Sequence, residues 1–306
     1  MTANNPRIAF LGIGLMGAPM TRNLLDAGFP MTLWNRTASK CEPFAAEATI
    51  APTPAEAVAD ADIVITMLEN GDVVEDVLVA QGAIEALKPG ALVVDMSSVQ
   101  PSVARRHAGL AAERGAGYVD APVSGGTVGA AEARLSIMAG GAGADVERAQ
   151  PVFAALGKCT RIGPVGAGQL AKLANQAIVG ITIGAVSEAL LLAAEGGADP
   201  AAVREALMGG FAGSRILELH GQRMIDRDFA PGAPARIQLK DLRMILDEAR
   251  AEGLTLPLAQ QTHNAYRSLI ANGHSEVDHS GLLLELEHLN GTLLGSSLPA
   301  AKGKKE

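Results

Sequence analysis

Three short stretches of the chain bring together residue types at spacings that can do chemistry. Gly12-Ile13-Gly14-Leu15-Met16-Gly17 has the GxGxxG spacing. When such a turn follows a strand and opens a helix, the first glycine permits the tight turn and the second lets a pyrophosphate approach the backbone. The third allows close helix–strand contact, and free amides at the helix start bind the phosphates. Lys172 and Asn175 lie three positions apart in a later apolar segment, so a helix there projects them near one face. A lysine in a cleft can donate or accept a proton while a carbonyl and an alcohol interconvert, with the amide orienting the reactant. A lone lysine at a helix start is more commonly solvated, so Lys172 gains meaning only from its neighbours. In Asp120-Ala121-Pro122-Val123-Ser124-Gly125-Gly126, the Ser124 hydroxyl and the amides of Gly125 and Gly126 can hold a carboxylate. A tight crossover turn without a ligand explains the same residues equally well.

Alternating elements must position these groups. Short apolar runs at Ile8–Leu11, Met31–Trp34, Asp62–Leu68 and Ala91–Asp95, with further ones beginning at Tyr118 and Ser136 and a last one at Cys159–Ile162, read as strands. Helical stretches separate them, at 18–26, 38–46, 54–59, 73–79, 82–87, 101–113 and 145–156. This order predicts an α/β Rossmann-type domain with a mostly parallel sheet covered on both faces. Thr49-Ile50 gives a weaker strand signal. Ligands of such sheets bind beyond the C-terminal strand ends. That places Met67, Leu68 and Ser97 at a cofactor channel, although Met67 also suits a core and Ser97 a helix cap.

Asn35-Arg36-Thr37 closes the second strand, where NAD-selective folds commonly carry an acidic residue for the ribose diol. Arg36 can instead pair with a 2′-phosphate, and Asn35 and Thr37 can donate hydrogen bonds. NADP(H) is therefore expected in preference to NAD(H). The break at Pro164, Gly166 and Gly168 ends the first domain, set at 1–165. From there to 292 the pattern is helical, beginning with a long apolar helix over 169–195 and continuing at 200–208, 215–225, 237–252, 258–272 and 280–289. An all-α C-terminal domain follows, with a flexible tail over 293–306.

Composition narrows the function classes. The 306 residues are 48% apolar and 19% charged, which fits a compact protein with a substantial core. A net charge of −8 disfavours general nucleic-acid binding. The apolar run Ala177–Val186 is too short to span a bilayer and is interrupted by Ser187 and Glu188, so no membrane is expected. Cys41 and Cys159 form no CxxC pair and have no clustered histidines, so free thiols are expected and no metal. Without a leader pattern, the cytoplasm is the expected location.

Taken together, the chain resembles the β-hydroxyacid dehydrogenase family, which includes 3-hydroxyisobutyrate dehydrogenases and tartronate semialdehyde (2-hydroxy-3-oxopropionate) reductases. The resemblance rests on Phe10–Met20, Asp120–Gly126, Gly168–Asn175 and Lys240-Asp241-Leu242, in this order over nearly the whole chain. It implies Lys172 as the catalytic lysine and Asn175 as a substrate contact. It places Ser124, Gly125 and Gly126 in a substrate-carboxylate loop, Ser97 in the cofactor loop, and Lys240 as a lysine reaching the cofactor. It also implies a homodimer or homotetramer formed through the helical domain. The leading activity is NADP-dependent reduction of 2-hydroxy-3-oxopropionate. Alternatives are 3-hydroxyisobutyrate, D-threonine/serine-type or L-threonate dehydrogenase, succinic semialdehyde reductase, or a non-catalytic dinucleotide-binding protein. The chain departs from the family at Ala133-Arg134, where Gly-Thr or Gly-Ser is common before the next strand.

Overall fold

The computed structural model describes residues 5–295, so residues 296–306 of the expected tail lie outside the described part. The chain divides into two compact units, Met1–Lys172 and Leu173–Glu306.

The first unit is built on a nine-stranded sheet. It runs β1 (Ile8–Leu11), α1 (Gly17–Asp26), β2 (Met31–Trp34), β3 (Thr49–Ile50), α2 (Pro54–Val58), β4 (Ile63–Thr66), α3 (Gly71–Glu75) and β5 (Leu92–Asp95). Then come α4 (Pro101–Glu113), β6 (Gly117–Asp120), β7 (Val123–Ser124), α5 (Gly126–Ala131), β8 (Leu135–Gly140), α6 (Gly143–Leu156), β9 (Gly157–Gly163) and the start of α7 (Ala167–Glu195). The strand order is β3-β2-β1-β4-β5-β6-β8-β7, with β9 beside β8. Strands β1 to β6 pair in parallel, whereas β8 runs antiparallel to β6 and β7. This is the mostly parallel Rossmann-type sheet expected from the sequence.

Strands β1, β4 and β5 are buried along their whole length because helices cover both faces. Their side chains alternate between two cores. Ile8, Phe10, Ile65 and Val94 pack with Leu24 and Phe153 on one face. Ala9, Leu11, Val64 and Val93 pack with Val58 and Leu78 on the other. The register sets Leu11, Thr66, Asp95 and Asp120 side by side at the C-terminal edge.

Local details differ from the sequence reading. The segment expected to be helical over 38–46 forms two 3-10 turns, Ala38–Lys40 and Glu42–Phe44, with Pro43 inside the second. The stretch 82–87 is a series of turns, entered through Gly82 at φ 72°. Helix α3 continues as a π turn over Asp76–Ala80. The Asp120–Gly126 loop contains a short strand, β7, because Val123 and Ser124 pair with Ile137 and Ser136.

The second unit is helical. After the remainder of α7 come α8 (Pro200–Met208), α9 (Arg215–Asp226), α10 (Ala235–Ala251), α11 (Pro257–Ala271) and α12 (Leu282–Asn290). Sequence signals set their starts: Asp199 caps α8 through the Ala201 amide, and Ser214 caps α9 through the Leu217 amide. Leu173, Ile183 and Leu190 of α7 join Leu217, Met224, Leu242, Tyr266 and Leu283 in one core. At 29 residues α7 is about 44 Å long. Among the described residues it is the one helix long and apolar enough, by length and composition, to cross a membrane. The apolar segment is thus longer than the Ala177–Val186 run suggests, because Ser187 does not interrupt the helix. Its hydroxyl is satisfied locally by the Ile183 carbonyl at 2.8 Å.

A side-chain knot ties α9 to the turn before α12. His220, Asp278 and His279 bring possible ligand atoms within 4.8 Å of one another. The Asp278 carboxylate is already engaged, however. It pairs with Arg223 at 3.0 Å and accepts from the Gly232, Ala233 and Ser280 amides. The two imidazoles meet Nε2 to Nε2 at 3.2 Å. These contacts account for the cluster as a hydrogen-bonded brace.

Candidate active site

The glycine turn separates packing from binding. A Cβ on Gly12, held at φ 110°, would collide with the Met67 carbonyl, and one on Gly17 would collide with the Gly12 carbonyl. Both positions are fixed by protein against protein. A Cβ on Gly14 would meet no protein atom within 4 Å, so the fold itself does not demand glycine there. A dinucleotide whose phosphates approach the start of α1 does. The turn therefore fits such a cofactor. Asn35 braces it: its Oδ1 accepts from the Ile13 amide at 2.9 Å, and its Nδ2 donates to the Thr37 carbonyl at 2.9 Å. Those two bonds use one of the two Nδ2 hydrogens and one lone pair of Oδ1. Arg36 and Thr37 are exposed just beyond β2, while Ile13 is buried and Leu15 projects outward.

Beneath the neighbouring strand ends lies a buried polar network. Asp95 accepts from the Thr66 hydroxyl at 2.7 Å, the Ser97 amide at 2.9 Å and the Tyr118 hydroxyl at 3.2 Å. Burial pushes its carboxyl up, against the lowering effect of the Thr66 and Ser97 bonds. The Ser97 hydroxyl accepts from the Leu68 amide at 3.0 Å. Ser97 is fully buried and supports the Met67–Leu68 loop through that bond. Met67 and Leu68 are half-buried at the loop surface.

The next strand end joins this network to α7. Asp120 accepts from the Gly166 amide at 2.7 Å and the Gln169 amide at 2.8 Å. Burial raises its carboxyl to about 7, with the two amides pulling the other way and nearby Asp95 adding to the rise. The Gln169 side chain donates to the Ser97 carbonyl at 2.9 Å and accepts from the Val99 amide at 3.1 Å. One turn further along α7, half-buried Lys172 donates from Nζ to the Val123 carbonyl at 2.9 Å. Ser124 follows in β7, then Gly125 at φ 135° and Gly126 at φ 62°, both exposed. The structure thus brings Lys172 against the strand that leads into the Ser124 loop. That loop closes through Ala133, whose left-handed backbone (φ 52°) occupies the departure from the family noted above.

In the second unit a different chain of contacts forms. Asn175 donates to the Gln176 side-chain oxygen at 2.7 Å, and Gln176 donates to Asp241 Oδ2 at 2.6 Å. The other Asp241 oxygen lies 3.2 Å from Lys240 Nζ. Asn175 and Lys240 are therefore linked through Gln176 and Asp241. Neither linking residue stands out by type alone, because a side chain on a polar stretch of helix has no sequence signature of its partner. Asp120 and Gln169 were also missed as structural centres. A carboxylate closing an otherwise apolar strand was the available signal, since buried charge demands partners.

Residues 7–163 match the family described as the NAD binding domain of 6-phosphogluconate dehydrogenase. Residues 166–286 match the one described as NAD-binding of NADP-dependent 3-hydroxyisobutyrate dehydrogenase. The 2-hydroxy-3-oxopropionate reductase of Escherichia coli K12 is 44% identical over 283 residues, covering 92% of this chain and 97% of that protein. The NAD-dependent L-serine dehydrogenase of Pseudomonas aeruginosa is 35% identical, covering 90% and 95%. The structure of Mycobacterium tuberculosis 3-hydroxyisobutyrate dehydrogenase with L-serine superposes with a TM-score of 0.85 at 33% identity, covering 92% of this chain and 99% of that one. The chain belongs to the 3-hydroxyisobutyrate dehydrogenase/tartronate-semialdehyde reductase family of NAD(P)-binding oxidoreductases.

Proposed function

We propose that this protein reduces 2-hydroxy-3-oxopropionate to glycerate with NADPH. The observation that carries the reading is Lys172 Nζ held 2.9 Å from the Val123 carbonyl, beside Ser124 and its two exposed glycines. The 44% identity to a 2-hydroxy-3-oxopropionate reductase supports that substrate within the wider class of small hydroxyacids and semialdehydes. NADP(H), when bound, supplies or accepts the hydride. The protein's part is proton transfer and orientation. In reduction the Lys172 ammonium stabilises the developing alkoxide and protonates its oxygen; in oxidation the neutral amine takes the hydroxyl proton. The Ser124 hydroxyl and the amides of Gly125 and Gly126 bind the carboxylate, and Asn175 orients the reacting group.

The residues proposed to hold the cofactor are Gly12 to Gly17, Asn35 to Thr37, Met67, Leu68 and Lys240. Ser97 acts indirectly through the Leu68 amide. Preference for NADP(H) rests on Arg36, exposed where no carboxylate stands to receive a ribose diol. The packed apolar side of α7 supports a soluble protein, for which the cytoplasm is the proposed location, and its exposed Ile178 and Leu192 support a homodimer or homotetramer. Following NADPH oxidation with a panel of semialdehydes, and NADP+ reduction with 3-hydroxyisobutyrate, serine, threonine and threonate, tests the substrate. The highest kcat/KM is expected for 2-hydroxy-3-oxopropionate. A hydroxy amino acid at the top of the ranking would replace that assignment.

A further inference from the structure

We infer that Asp120 and Gln169 are positioning residues for Lys172, fixing the first turn of α7 against the loops after β4 and β5. The inference rests on the proposed role of Lys172 in proton transfer.

Asp120 gives one oxygen to the Gly166 amide, just before α7, and the other to the Gln169 amide in its first turn. Lys172 lies one turn on, and its Nζ is held by Val123, three residues beyond Asp120. A single segment of chain therefore holds both the base of the helix and the head of its lysine. The seat has no slack. A Cβ on Gly168 would collide with the Met138 carbonyl, and one on Gly140 would come within 2.5 Å of the Asp120 carboxylate. Gln169 extends the hold in the other direction. Its carboxamide spans the Ser97 carbonyl and the Val99 amide, and the Ser97 hydroxyl holds the Leu68 amide. The carbonyl before Leu68, that of Met67, packs directly on Gly12. An unbroken series of contacts thus runs from the lysine's helix to the first glycine of the cofactor turn.

Asp120, Ser97 and Gln169 are all at most 1% exposed. A helix start is ordinarily capped by a short side chain in its own connecting loop, which water also reaches. Here a carboxylate from a different strand does this task under burial that raises it to about 7. The fold keeps a costly buried acid where a local cap would satisfy the same amides. What the distant acid adds is a fixed relation between the first turn of α7 and the end of β6. Proton transfer depends on such relations steeply, since a displacement near 1 Å costs about 100-fold in rate.

The test is single-turnover reduction of 2-hydroxy-3-oxopropionate at saturating NADPH, for the wild type, Asp120→Asn, Gln169→Met and Lys172→Ala. Asp120→Asn leaves one helix amide facing a donor. Gln169→Met keeps the volume but removes both bonds, and serves as the second variant if Asp120→Asn fails to fold. Positioning predicts a rate about 10- to 100-fold slower in Asp120→Asn and in Gln169→Met, with full amplitude. A role in folding alone predicts reduced amplitude with an unchanged rate per active site, which would overturn the inference. An undiminished rate in Lys172→Ala would instead remove the reading on which it stands.

Discussion

Ala133 shows how one residue records a departure from the family. Its φ of 52° lies in the left-handed region, which costs a residue bearing a Cβ about 1 kcal/mol more than glycine. Ala133→Gly is expected to stabilise the protein by about 0.5–1 kcal/mol, seen as a higher midpoint in urea unfolding. The departure thus affects the backbone of the turn, while Arg134 pairs outward with Glu132. Arg36 is the corresponding test of cofactor choice. Loss of charge-assisted hydrogen bonds to a 2′-phosphate removes about 1.5–3 kcal/mol of binding, so Arg36→Ala should weaken NADPH about 10- to 100-fold and leave NADH nearly unchanged. Equal weakening of both would remove Arg36 as the discriminating group.

At the scale of elements, the glycine turn makes opposite predictions for two of its members. Gly14→Ala should leave thermal stability unchanged, because its Cβ meets no protein, yet weaken NADPH binding by roughly 1–3 kcal/mol through crowding at the phosphates. Gly17→Ala should destabilise the first unit itself, because its Cβ collides with the Gly12 carbonyl. Thermal melts with and without NADPH separate the two. Most strands and long helices were legible because periodicity and Gly/Pro breaks report burial and chain turning. The buried run Ile63–Thr66 and the seventeen-residue α10 (Ala235–Ala251) are clear cases. The stretch 38–46 was not, since Pro43 and the short span favour 3-10 turns over a continuous helix. The short strand just after Asp120 was hidden for another reason: β7 exists only through pairing with β8, and a two-residue strand has no periodicity to read. The site was legible where chemistry is carried by type, as in Lys172 and the glycines. It was opaque where it is carried by partnership, as in Asp120, Gln169 and Gln176.

At the scale of the whole molecule, the two units carry titrating groups of opposite sign. Burial lowers His279 from 6.5 to about 4, the nearby Asp278 pulling the other way and His220 and Arg223 reinforcing the fall. Its contribution to stability is present above about pH 6.5 and is lost as pH falls through about 4. That contribution is at most about 3 kcal/mol. Asp120 is raised from 3.8 to about 7, so its contribution is fully present below 3.8 and lost as pH rises through about 7. Between about pH 6.5 and 4 the two contributions oppose each other, so the variant is compared with the wild type: His279→Gln should gain stability in urea unfolding relative to the wild type as pH falls from about 6.5 to 4. A difference between the two proteins that does not change with pH would remove His279 as the titrating group. Light scattering is expected to give the mass of a dimer or tetramer, and a monomer would contradict the proposed use of α7's exposed apolar residues. The central claim is that this oxidoreductase moves its proton through Lys172. Steady-state NADPH oxidation with 2-hydroxy-3-oxopropionate, comparing wild type with Lys172→Ala, tests it most directly. The expected result is a kcat about 100- to 10,000-fold lower with NADPH affinity retained; a kcat equal to that of the wild type would contradict it.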